Sequence, residues 1–293
     1  MLKNKSSCRA GGIIRGTDLS RMSVRMWYVA MCCGAALFFI VGVLPLIWTV
    51  LSGFKSIKEL TGQTSLLPAS FNFDTFAKTW KDLKFSKYYV NSGITVLGAV
   101  ACAVGFNALF AFGLSRVRPA GYKVLNALVM WGLLIPATTS IVPLFLNINK
   151  VHMQGTFIPL WLCMGANAYY VVLFKNFFDS IPQSMIEAAK IDGASDLFVF
   201  SKIIVPLSHA IVMVVVLYAV NAAWSDFLLP YLVLNNTGKE TVMVRLFTMV
   251  RGQKVNDVEM LRAIVFAITP PVILFFIFQK QITQVSIQSG IKG

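Results

Sequence analysis

The chain has 293 residues, 57% of them hydrophobic and only 13% charged, with a mean hydropathy of +0.71 and a formal net charge of +14. A soluble globular domain carries about 25% charged residues, so this composition excludes one, together with a disordered chain and a disulfide-stapled secreted domain. The positive charge does not indicate nucleic-acid binding, because the basic residues sit at the ends of apolar stretches rather than on one amphipathic face.

Six stretches contain no Lys, Arg, Asp or Glu: 26–54, 88–115, 124–149, 151–174, 203–225 and 263–279. A membrane helix needs about 20 mostly apolar residues. The pattern therefore predicts an all-α integral membrane protein with six transmembrane helices. Residues 1–25 read as a basic, glycine-containing cytoplasmic tail with Arg21 and Arg25 at its end, and 26–51 as the first transmembrane helix, with Pro45 in its outer third, where a kink is tolerated. That apolar run is too long for a signal-peptide core and is expected to remain as a span. Cys8 follows polar residues, unlike a lipoprotein attachment site, and Cys32, Cys33, Cys102 and Cys163 read as small hydrophobes within spans.

Residues 52–87 read as an external segment. In it Phe71, Phe73, Phe76 and Trp80 alternate with Lys78, Lys81 and Lys84, a pattern for an amphipathic helix either lying at the interface or packed on the spans. A core of five further spans covers 88–280. Spans two and three of the chain are joined by a tight turn with Arg116, Arg118 and Lys123, punctuated by Pro119 and Gly121. These basic clusters put both termini in the cytoplasm by the positive-inside rule. An external, partly helical loop is expected over Asn235–Arg262, and a polar cytoplasmic tail over 281–293.

The connection between spans four and five, 179–206, is the most informative. Pro182 suits a first helical position, Glu187, Ala188, Ala189 and Lys190 are good helix formers, and Gly193 supplies a stop. A helix of about 11 residues, roughly 16 Å long, is too short and too polar to cross a bilayer. Ser195 then caps a second helix with Asp196 in its first turn, which returns to the bilayer before Pro206. The predicted unit is a cytoplasmic helix, a glycine bend and a helix.

Glu187-Ala188-Ala189, three residues, Gly193, nine residues and Ile203-Ile204-Val205-Pro206 resemble the EAA loop of permease subunits of binding-protein-dependent ABC importers. The family pattern is E-A-A-x3-G-x9-I-x-L-P, and Val205 replaces its Leu. Tyr88 to Pro119, with Asn91-Ser92 at its start and Ala111-Phe112-Gly113-Leu114-Ser115-Arg116 at its end, resembles the opening of the family's conserved membrane domain. Asp192-Gly193-Ala194-Ser195, Trp224-Ser225-Asp226 through Pro230 and Gly290 to Gly293 are similar to the carbohydrate-uptake branch, especially the maltose-type second permease. The resemblance covers about 27–293. It implies a multi-pass protein of the bacterial inner membrane. Its partners would be a second homologous permease, two ATPase subunits and an extracytoplasmic solute-binding protein.

The chain has no G-x-x-x-x-G-K-[ST] phosphate loop. No cofactor is expected on it, and ATP and Mg belong on the partner ATPase. The resemblance implies that Glu187, Ala188, Ala189, Asp192, Gly193, Ile203 and Pro206 form the ATPase-coupling loop.

Inside the spans, Asn107, Asn167 and Asn221 either meet a sugar in the translocation path or bridge helices, and helix packing is the favoured reading. Tyr170 and Trp224 either stack on sugar rings or anchor at the interface. Asp226, near the outer end of span five, either faces the path or lies at the headgroups. His152 and His209 lack neighbours at metal-ligand spacing, so no metal is expected. Two other classes compete: an ion-gradient-driven secondary transporter, for which only Asp226 is a candidate, and an integral-membrane enzyme, for which H-E-x-x-H and G-x-S-x-G are absent.

Overall fold

The computed structural model describes residues 22–62, 65–252 and 255–290, and all regular structure among them is helical. The basic tail as far as position 21, with Cys8, and the terminal Ile291, Lys292 and Gly293 lie outside the described residues. The chain divides into two compact units, Met1–Phe71 and Asn72–Gly293.

In the first unit α1 (Met22–Gly53) is one continuous helix through Pro45. The proline leaves the Val41 carbonyl without its helical N–H, and Thr49 Oγ1 donates to the Pro45 carbonyl at 2.8 Å one turn later. Apolar side chains lie exposed on every side, Phe38 at 86%, as suits a helix surrounded by lipid or by other helices. The short α2 (Ile57–Gly62) starts in a reciprocal capping box. Ser56 N–H donates to Glu59 Oε2 at 2.6 Å and Glu59 N–H to Ser56 Oγ at 3.3 Å. Glu59 also accepts from Ala69 N–H at 3.0 Å, and the Ser56 and Ala69 donors hold its carboxyl below the usual carboxylate range. With Lys55 Nζ donating to the Ser65 carbonyl and Phe54 edge-on to Phe71, the segment folds back on itself.

The second unit opens with α3 (Phe73–Asp82), capped by Asn72, whose Oδ1 accepts from Asp74 N–H at 3.0 Å. Lys84, with φ 54°, turns the chain into α4 (Phe85–Phe112), which ends in a π-turn at Gly113–Val117. Arg118 and Gly121, both left-handed, lead to α5 (Tyr122–Gly132). The charge-free stretch 124–149 is not a single helix. The chain breaks before Pro136, passes through a 3-10 turn at Ala137–Ser140 and resumes as α6 (Ile141–Lys150), because the residue preceding a proline is biased out of the helical region.

There follow α7 (Ile158–Gly165), α8 (Ala168–Asp179), α9 (Gln183–Ile191) and α10 (Asp196–Val199). A π-turn (Phe200–Ile204), α11 (Val205–Leu207), α12 (His209–Ser225), α13 (Leu228–Leu234), α14 (Val242–Gly252) and α15 (Asp257–Gly290) complete the chain. Among the described residues α1, α4 with its π-turn, and α15 are long and apolar enough to cross a membrane. Two bent pairs, α7 with α8 at 41° and α10–α11 with α12 at 81°, bring the number to five if each is one span. The backbone of α15 stays helical to Gly290, past the expected end of the last span at 280, since no proline or glycine intervenes after Pro271.

Helix α4 is the axis of this unit, packing against α7, α8 and α12. Its buried face is made of small residues, Ala99, Ala103, Ala108 and Ala111, which let neighbouring backbones approach closely. Gly98 lies directly under the Trp161 indole, and a Cβ on Gly165 would stand 2.6 Å from the Phe106 ring. Helix α3 is amphipathic, and it packs rather than lying free: Trp80 meets Phe85, Tyr89 and Phe266, with Phe76 also on Phe266. Phe73, at its start, remains exposed.

Candidate functional site

The segment between α8 and α12 has the helix, glycine bend and helix expected from its sequence, with local bonds that explain the spacing. Helix α9 is 9 residues long, Gln183–Ile191, with Pro182 as its cap rather than at the first helical position expected for it. At its end Ala194 N–H donates to the Ala189 carbonyl at 2.9 Å and Gly193 N–H to the Lys190 carbonyl at 3.0 Å. These two bonds form a Schellman motif, which needs a left-handed residue at the position of Gly193, and Gly193 has φ 80°. Nothing lies within 4 Å of an added Cβ there, so the glycine answers a backbone requirement rather than a shortage of space. Ala189 and Ala194, the two ends of the longer bond, both pack on the main core.

Beyond the bend Ser195 Oγ accepts from Phe198 N–H at 3.2 Å, the cap expected for α10. Lys190 Nζ meets Asp196 Oδ1 at 2.6 Å across the bend, and Asp192 closes α9 as its C-cap. Val199 and Ile204 are buried, Ile203 packs partly on the core, and Pro206 is exposed at the 81° turn. The outer side is different. Glu187 and Ala188 face away from the core, together with apolar Ile191 at 86% exposure, Leu197 at 67% and Phe198 at 52%.

Residues not assigned to this site from the sequence hold it in place. The π-turn at the end of α4 presents Ser115 and Arg116 to the C-terminus of α8. Ser115 Oγ donates to Asp179 Oδ1 at 2.5 Å, and Asp179 pairs with Lys175 at 2.8 Å. Arg116 donates to the carbonyls of Phe178 and Ile181, the latter at 2.6 Å, and to Gln183 Oε1 at 2.8 Å. The basic turn was legible only as a topology signal, although Ser115-Arg116 also belongs to the quoted resemblance.

The intramembrane candidates are mostly joints between helices. Asn107 is fully buried; its Nδ2 donates to the Ala103 carbonyl at 2.7 Å and to Met164 at 2.8 Å, and its Oδ1 accepts from Asn167 N–H at 2.9 Å. It thereby satisfies backbone groups freed at the α7–α8 bend. Asn167 caps α8 through Tyr170 N–H at 3.2 Å, and Tyr170, 3% exposed, lies in the core rather than on an open wall. Pro270 and Pro271 in α15 cannot donate to the carbonyls of Phe266 and Ala267. Tyr89 Oη donates to the first and Trp224 Nε1 to the second, at 3.0 Å. Asp226 Oδ1 accepts from Leu228 N–H at 3.1 Å at the start of α13. Asn221 and Trp224, with Tyr218, Pro271 and Phe275, border a groove of 330 Å³ between α12 and α15, and Asn107 adjoins a second cavity, of 480 Å³, with Phe106, Phe110 and Gly165.

A second joint lies near the start of α4. Asn91 Nδ2 donates to the Glu240 carbonyl at 2.9 Å, and Ser92 Oγ accepts from Val242 N–H at 2.9 Å, fixing the turn between α13 and α14.

Apolar helices about a small-residue axis, with kinks closed by side-chain donors and one exposed helical loop, define a polytopic helical membrane protein. Residues 103–285 match the family described as binding-protein-dependent transport system inner membrane component, and the chain belongs to that family. Its place is thus among transport components rather than enzymes. The diacetylchitobiose uptake system permease protein NgcG of Streptomyces coelicolor is 29% identical over 84% of this chain and 83% of its own length. The galactooligosaccharides transport system permease protein GanQ of Bacillus subtilis is 29% identical over 94% and 100%. In fold the chain is similar to a bacterial ABC transporter involved in import of the acidic polysaccharide alginate, with a TM-score of 0.81 and 22% identity over 89% of this chain and 98% of that one.

Proposed function

We propose that this chain is one of two permeases of an ABC importer for a sugar or oligosaccharide and that the α9–α10 loop couples it to an ATPase. The observation that carries the reading is the loop itself. The E-A-A-x3-G spacing forms a Schellman-capped helix whose inner side is anchored in the core, while its outer side exposes Ile191, Leu197 and Phe198 beside Glu187. Exposed apolar groups on a polar loop call for a protein partner, and the chain has no phosphate loop of its own.

In this reading the bilayer is crossed six times. The 88–280 core supplies five of the spans, with α5 and α6 together as the interrupted third, and both termini are cytoplasmic. The loop over 179–206 lies on the same side. A second permease completes the path, two ATPase subunits carry ATP and Mg, and an extracytoplasmic binding protein delivers the solute. The sugar assignment is supported by the named substrates of the relatives, diacetylchitobiose and galactooligosaccharides, and by a similar solved chain whose transporter was captured with an alginate pentasaccharide-bound periplasmic protein.

The test is affinity purification of the tagged chain from native membranes in mild detergent, followed by mass spectrometry. A second multispan permease and a soluble ATPase are expected, with the ATPase lost from a Glu187→Ala, Gly193→Pro double variant. Recovery of the folded chain alone would overturn the assignment.

A further inference from the structure

We infer that the π-turn ending α4 is the grip through which the α9–α10 loop moves the membrane helices, and that Arg116 is its positioning residue. The inference rests on the coupling-loop reading above and adds the path from the loop to the helix bundle. Arg116 reaches three acceptors on the chain entering the loop: the carbonyl of Phe178 in the last turn of α8, that of Ile181 just past its end, and Gln183 in the first turn of α9. A planar guanidinium holds such a set of acceptors in fixed relative positions, which a lysine ammonium cannot do. Ser115, the preceding residue, fixes Asp179 from the same turn.

The exit from the loop is held by the same end of α4. Phe112, the last residue before the first π-turn, packs on Phe200, the first residue of the second, with ring centroids 5.2 Å apart. Leu114 joins Ile186, Val199 and Ile204 in one buried cluster. Both ends of the loop are therefore fastened to one short segment, and π-turns are often found inside helices at functional positions. Helix α4 runs on from this segment as the axis against α7, α8 and α12. A displacement of the loop must move α4 or break these contacts, since packed cores do not deform continuously.

The experiment is hydrogen exchange by mass spectrometry on the complex purified with its ATPase, nucleotide-free and trapped with MgATP and vanadate. In the unmodified complex, trapping is expected to change exchange both in the loop, 183–196, and in the end of α4, 98–117. In Arg116→Ala the loop keeps its response, while the response over 98–117 falls by roughly tenfold, within the 5–150-fold range typical of coupling between sites. Arg116→Lys should behave like Arg116→Ala, and Gln183→Ala on top of Arg116→Ala should add little, because both remove one linkage.

A response over 98–117 that persists unchanged in Arg116→Ala, or in Arg116→Lys where the alanine variant does not assemble, overturns the inference and leaves the loop assignment standing. No nucleotide response at 183–196 in the unmodified complex overturns the loop assignment and the inference with it.

Discussion

At the residue scale, Asn107, Asn167, Tyr89 and Trp224 within the apolar spans serve the backbone. Asn107 makes three hydrogen bonds at a site with no access to solvent. Truncation strips the Met164 carbonyl and the Asn167 N–H of this partner, which costs about 1–3 kcal/mol for each group so stranded. Asn107→Ala is therefore expected to lower the thermal unfolding midpoint in detergent markedly. A substitution at exposed Asn221 should leave it within the spread of surface variants, about 0.5 kcal/mol. Equal effects at the two positions would remove the distinction. Trp224→Phe keeps the ring but deletes the donor to the Ala267 carbonyl, and about 1 kcal/mol of lost stability is expected in the same assay. Gly193 differs, because its requirement is conformational. Gly193→Ala should cost about 1–2 kcal/mol, the penalty of placing a Cβ in the left-handed region, with no clash to relieve.

At the element scale the α9–α10 loop is the unit on which the proposed coupling rests. Glu187→Ala removes an exposed charge and Gly193→Pro removes both the left-handed turn and the N–H that donates to the Lys190 carbonyl. Both are expected to separate ATP hydrolysis from uptake in proteoliposomes of the assembled transporter without preventing membrane insertion, the proline more strongly. Normal sugar-driven uptake in both variants would contradict a coupling role. The Lys190–Asp196 bridge spans the same bend, yet it is exposed, and exposed pairs contribute about 0–1 kcal/mol. Asp196→Asn should accordingly leave uptake close to normal. In α2 the capping carboxylate of Glu59 is held below the usual carboxylate range by donors from Ser56 and Ala69. A carboxyl with a depressed pKa contributes its stabilisation above the unfolded value and loses it as pH falls through the lower, folded one. Protection of the 55–69 segment from limited proteolysis should thus persist to more acid pH than in unfolded peptides, where a glutamate titrates near 4.3, and should become insensitive to pH in Glu59→Gln.

At the scale of the whole molecule, the two joints of α4 lie at opposite ends of a helix about 42 Å long at 1.5 Å per residue, enough to separate the two faces of a bilayer. Val117 follows the Arg116 turn and Lys239 adjoins the Asn91 joint, and both side chains are exposed. Cysteines placed singly at these positions, in a background without the native ones, are expected to react with a membrane-impermeant maleimide from opposite sides. Position 117 should be reached only from the cytoplasm. Labelling of position 117 from the external side would overturn the orientation proposed for the termini.

Some of this was fixed by local chemistry that a sequence displays. The apolar stretches declare a membrane protein because a bilayer admits few charged side chains. The E-A-A-x3-G spacing determines its bend because a Schellman cap is closed by residues five apart in the chain, from Ala189 to Ala194. Where a bond joins distant positions, the sequence is silent. The pairing of Tyr89 and Trp224 with carbonyls freed by Pro270 and Pro271, the splice of Asn107 across the α7–α8 bend, and the hold of Arg116 on residues 62 to 67 positions away follow only once α4 is packed among its neighbours. An isolated arginine at the end of an apolar stretch reads as a topology signal; only the tertiary structure, by bringing three acceptors within reach of one guanidinium, gives it a mechanical role.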